Sequence, residues 1–111
     1  MKIIYNDIIP FKGFLAINLF GLLFVRKGGK LTDSTINHEE IHSAQMKELG
    51  YIFFYIIYFL EWIIRLFQKG PTHAAYRAIS FEQEAYDNEK DPNYLKNRTP
   101  FSWLQFWKKG N

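Results

Sequence analysis

The chain has no cysteine, which excludes disulfides and leaves histidine and carboxylates as its metal-ligating side chains. It has no long basic run. The net charge is a modest +3, with Lys108 and Lys109 the only adjacent lysines, so no nucleic-acid partner is expected. No internal repeat or low-complexity linker interrupts it, and its 111 residues have room for one domain, 1–111. As a secretory signal the N-terminal third is poor, because Asp7 and Pro10 precede the apolar run and no small-x-small site follows.

What is present starts with His38-Glu39-Glu40-Ile41-His42, an H-E-x-x-H run. On a helix the two histidines lie one turn apart on one face. There they can hold one Zn²⁺, with Glu39 beside them to take a proton from water. Three fixed positions also occur by chance, so the surrounding sequence must supply a helix and a third ligand. Capping residues Thr32, Asp33 and Ser34 precede the motif, and no Pro or Gly follows until Gly50. At 100° per residue, Thr35, His38, Ile41, His42, Gln45 and Leu49 share a face. Glu39 lies at its edge near Met46, whereas Glu40, Ser43 and Lys47 point to solvent.

Catalytic zinc takes three protein ligands and leaves one position open. Residues 72–90 read as a second, polar helix carrying Glu82 and Glu84. Ala75, Ala78, Ile79, Glu82, Ala85 and Tyr86 form one stripe. Glu84 falls with Arg77, Ser80, Asp87 and Asn88 on a face expected to be solvated. Small residues let helices approach closely, so Glu82 is the expected third ligand. The alternative is an ordinary surface carboxylate.

His38-Glu39-Glu40-Ile41-His42 followed by Glu82-Gln83-Glu84-Ala85-Tyr86 resembles the gluzincin metallopeptidases, over about residues 13–90. The small size is similar to minimal, minigluzincin-like domains. The resemblance implies a zincin-like fold, His38, His42 and Glu82 as zinc ligands, Glu39 as general base, and a peptide or protein substrate. It also implies that part of 18–25 is an edge strand able to pair with extended substrate; a supporting core hairpin fits the same residues. Tyr86 stands where the family pattern often has Asp, which departs from its usual support of the site. Tyr76, Arg77 and Tyr86 are candidates to steady an oxyanion, with Tyr86 preferred as catalytic because it lies one turn beyond Glu82.

Aromatic residues make up 19% of the chain. Residues 51–67 form a helix apolar nearly all round, its polar stripe being Tyr58, Glu61, Arg65 and Gln68, with Glu61 and Arg65 spaced to pair. Two internal charges argue against spanning a bilayer. Burial in a core and lying partly in a lipid surface, or against a second copy, are the remaining readings. The expected localisation is peripheral or monotopic membrane association, on the cytoplasmic side if no signal operates. Residues 14–25, broken by Asn18 and Gly21, fit a hairpin, with 26–30 a turn. Phe101, Trp103, Leu104, Phe106 and Trp107 make a short aromatic helix or tail.

The expected fold is therefore α+β and mostly helical: an N-terminal β-hairpin, an active-site helix, a hydrophobic helix and a glutamate helix. The expected activity is zinc-dependent peptide-bond hydrolysis. The competing class is a non-catalytic, membrane-associated interaction protein with a degenerate zinc site, or a peptidase held latent.

Overall fold

A computed structural model describes residues 2–8 and 16–107. Three short strands, β1 (Lys2–Asn6), β2 (Ala16–Leu19) and β3 (Leu22–Arg26), form a sheet of order β1-β3-β2. β2 and β3 are the expected hairpin, paired from Leu19 opposite Leu22 to Ala16 opposite Val25. Its two-residue loop is Phe20-Gly21, both at positive φ (54° and 88°), the backbone hand that matches the twist of the flanking strands. A phenylalanine is strained there. Its amide donates to the Tyr55 hydroxyl at 2.9 Å, and its ring packs 5.1 Å from that of Tyr55, which holds the loop in place. β1 runs parallel to β3 and was not apparent in the sequence.

Helix α1 (Asp33–Glu48) begins where expected, with Thr32 Oγ1 accepting the Thr35 amide at 3.1 Å, and stops before Gly50 at φ 64°. Helix α2 (Ile52–Lys69) follows at 110° to it. No single helix among the described residues is long and apolar enough to cross a membrane. α2 is neither a fully buried core helix nor exposed all round. Phe54, Glu61 and Arg65 face inward, while Ile52, Phe53, Ile56, Phe59, Leu60, Ile64 and Phe67 are exposed.

The stretch 72–90 is not one helix. It divides into α3 (His73–Arg77) and α4 (Ser80–Asn88) at Ile79, whose backbone is extended. The reason is Glu61 of α2. Its carboxylate accepts the Ser80 amide and the Ser80 hydroxyl, each at 2.6 Å, and so caps α4 from outside the segment. Arg65 Nη2 completes the group 3.1 Å from Glu61 Oε2. Periodicity also misplaced Glu84 and Ser80: both are fully buried, not solvated. α4 packs on α1 along one side and on the 3-10 turn Ser102–Phe106 along the other, so it has little free face. Between them, the short helix α5 (Tyr94–Asn97) leads into that turn. Met46, Phe54, Ile79, Phe81 and Trp103 form the core joining α1, α2, α4 and the turn. Each such fully buried large side chain contributes about 1.5–3 kcal/mol.

Candidate metal centre

α1 and α4 bring His38, His42 and Glu82 together, all three buried. Glu82 Oε1 lies 3.2 Å from His38 Nε2 and 3.0 Å from His42 Nε2, and the two Nε2 atoms are 3.2 Å apart. The other atom of each group is already engaged. His38 Nδ1 is 2.9 Å from Glu89 Oε1, and His42 Nδ1 is 2.8 Å from Gln45 Oε1. Glu82 Oε2 accepts the Tyr58 hydroxyl at 2.6 Å.

These partners fix the protons. A carboxylate can only accept, so His38 carries its hydrogen on Nδ1. Gln45 Nε2 donates to Phe81 O at 3.0 Å and to Glu84 Oε1 at 2.9 Å, which orients its amide and leaves Oε1 to accept from His42 Nδ1. Both Nε2 atoms therefore turn lone pairs toward a carboxylate oxygen. Three acceptors at hydrogen-bond distance repel unless a cation or a proton lies among them. Tetrahedral zinc with ligand bonds near 2.0–2.1 Å separates its donors by about 3.3 Å, close to the triangle seen here. The imidazole-imidazole-carboxylate donor set, each member steadied by an outer partner, fits Zn²⁺. Without a metal, the proton does this work. Burial pulls the His42 imidazole down, but the Glu82 carboxylate beside it prevails and pushes it up to about 9. Burial likewise raises the Glu82 carboxyl, and the His42 charge with hydrogen bonds from both histidines and Tyr58 more than offsets this, holding it below the usual range.

The outer support of His38 comes from Glu89, about two turns beyond Glu82, and not from the position of Tyr86. Sequence reasoning missed Glu89, Gln45 and Tyr58 in these roles. Gln45 already lay on the histidine face, and Tyr58 on the polar stripe of α2; for Glu89 there was no signal.

A cleft of about 270 Å³ opens beside the site, lined by β2, by Glu39, His42 and Met46 of α1, by Phe54, Tyr55 and Tyr58 of α2, and by Tyr76 and Glu82. Burial raises the pKa of Glu39, with the charges of His42 and His38 opposing that rise. Asn18 fastens β2 to α1: its Nδ2 donates to Glu39 O at 3.0 Å and to Ser43 Oγ at 3.1 Å. Ser43 is thus half-buried under the sheet, where solvent was expected.

Of the three oxyanion candidates, Tyr76 lines the cleft and Tyr86 does not. Tyr86 sets its ring edge against His38, 4.5 Å away at 71°, under the Arg77 guanidinium at 3.8 Å. The Tyr86 hydroxyl lies 3.4 Å from that of Tyr76. Burial, then the Glu82 charge, raises the Tyr76 phenol well above its ordinary value, so it holds its proton and serves as a hydrogen-bond donor.

No family model matches the chain, and comparison with curated proteins and with solved structures likewise finds no significant match.

Proposed function

We propose that the protein is a zincin-like, zinc-dependent peptidase, with His38, His42 and Glu82 holding the metal. The observation that carries this reading is the convergence of three acceptor atoms whose opposite sides are all occupied by Glu89, Gln45 and Tyr58. Zinc with three protein ligands supplies a Lewis acid that polarises a carbonyl and makes water acidic at neutral pH. Glu39, raised in pKa by burial, takes a proton from water in the cleft and returns it to the leaving amine. Tyr76 donates its phenolic O–H to the oxygen that gains charge, and Tyr86 positions Tyr76. β2 is an edge strand of the sheet and borders the cleft, so an extended peptide can add to it. Glu39→Gln tests the chemistry: zinc content should stay at one per chain while cleavage of a broad peptide library disappears, and Glu40→Gln should cleave normally. Equal cleavage by wild type and Glu39→Gln, or none by either, favours the non-catalytic class.

We further propose that α2 rests on a lipid surface. Its polarity is inverted: Glu61 and Arg65 face inward, and its outer side is apolar from Ile52 to Phe67. Lys47 near the end of α1 and Lys69 at the end of α2 are exposed, and the one acidic residue of α2, Glu61, is buried. With a net charge of +3 this suits anionic headgroups. Co-sedimentation with phosphatidylglycerol vesicles but weaker association with phosphatidylcholine vesicles is expected. A soluble dimer that ignores both would assign the face to a second copy.

A further inference from the structure

Behind His42, on the side away from the cleft, a buried polar chain runs to residues 94–106. Gln45 Oε1 meets His42 Nδ1 at 2.8 Å, and Gln45 Nε2 donates to Glu84 Oε1 at 2.9 Å. Glu84 is fully buried, and it receives Arg98 Nε and the Tyr94 hydroxyl on Oε2, each at 2.5 Å. Arg98 Nη2 adds a second contact to Glu84 Oε1 at 3.2 Å. On its far side Arg98 Nη1 lies 2.5 Å from Glu48 Oε1, and Glu48 Oε2 accepts the Phe101 amide. A fully buried carboxylate is costly unless paired, and among the described residues the partners of the Glu84 carboxylate other than Gln45 come from residues 94–98.

We infer that Gln45, Glu84 and Arg98 are positioning residues for His42, so that docking of residues 94–106 regulates metal retention at the site. The inference rests on the metal-site reading above. The mechanism follows from the two ends of a carboxamide. While Arg98 holds the Glu84 carboxylate in place, Gln45 keeps its N–H groups on Glu84 and Phe81 O, and its oxygen faces His42. Nδ1 then carries the hydrogen and Nε2 keeps its lone pair for a metal. When residues 94–106 lift away, Glu84 loses its cation, and the Phe81 carbonyl is left as the one firm anchor of the amide, which then turns over part of the time. An amide N–H facing Nδ1 makes that atom the acceptor and moves the ring hydrogen to Nε2, where it blocks coordination. Linkage requires the reverse: metal at His42 must tighten the docking of 94–106.

The test is zinc affinity by chelator competition on the full chain, with melting temperature measured alongside. Arg98 touches no proposed ligand. Arg98→Ala should nevertheless weaken zinc about tenfold, Gln45→Leu at least as much, and Arg98→Lys should recover part of the loss. Hydrogen exchange on the wild type should show 94–106 slowed by zinc, a measurement that needs no variant to fold. Wild-type zinc affinity in both Arg98→Ala and Gln45→Leu, with only a lower melting temperature, would reduce the chain of contacts to a structural anchor and overturn the inference. Exchange of 94–106 indifferent to zinc would also overturn it. A wild type that binds no zinc would remove the metal reading itself, and the wild-type titration separates that failure from the others.

Discussion

The Tyr58 hydroxyl sits 2.6 Å from Glu82 Oε2, which leaves Oε1 alone to face both histidines. One phenol thereby occupies Oε2, so that Glu82 would offer a metal its other oxygen, and it comes from α2, a helix that carries no proposed ligand. Burial, then the Glu82 charge, raises that phenol well above its ordinary value, in keeping with its role as donor to Glu82. Tyr58→Phe should weaken zinc about tenfold with little change in fold. Chelator competition beside circular dichroism checks this; unchanged affinity would leave Tyr58 a packing residue.

The metal-free protein should lose stability as pH rises. The folded His42 value, about 9, lies above its ordinary 6.5, so its contribution is complete below 6.5 and gone once pH passes about 9. Glu82 is shifted the other way, so its contribution is present above its ordinary 4.5 and declines as the solution becomes more acidic. Melting temperature with chelator should therefore fall between pH 6.5 and 9, and saturating zinc should flatten the curve. A melting temperature that climbs over that interval in chelator would contradict this account.

Glu61→Ala should be among the most damaging single changes. It takes the carboxylate from beside buried Arg65, leaving that cation with Gln68 and the Trp107 carbonyl, and removes the outside cap of α4, for a loss of about 3–5 kcal/mol. Urea unfolding gives the value; a cost below about 1 kcal/mol would mean that water replaces the carboxylate.

Ile56, 48% exposed on the outer side of α2, separates lipid attachment from folding. Ile56→Lys should release the protein from anionic vesicles while its circular dichroism stays native. Loss of the native spectrum would mean that Ile56 belongs to the core, since an unpaired buried charge costs several kcal/mol, on the order of the stability of a small domain.

α1 was legible in the sequence because its signals are local: a threonine cap, no helix breaker within about two turns of the motif on either side, and a terminal glycine. The face of α1 that carries His38, His42 and Gln45 follows from the same 3.6-residue period. Glu82 was legible for a less secure reason, its alanine-rich stripe. The same argument failed for Glu84, because periodicity sorts a helix into two faces and α4 is covered on both. The break at Ile79 was not legible at all, since the group that caps Ser80 is Glu61, nineteen residues earlier in the chain. Long-range partners such as Glu89 for His38 and Arg98 for Glu84 leave no trace in local pattern. The hairpin was expected, but its loop falls at Phe20-Gly21, where a phenylalanine occupies a glycine-like conformation held by its contacts with Tyr55 and Tyr51.

Asn18 has a consequence for the cleft as a whole. One short carboxamide ties the edge strand to the Glu39 carbonyl and the Ser43 hydroxyl with its nitrogen, and to the Gly21 amide with its oxygen. The gap between β2 and α1 is thus set by the length of a single side chain that has no slack. On the proposed peptidase reading, a cleft border held in this way would admit an extended chain and refuse a folded segment.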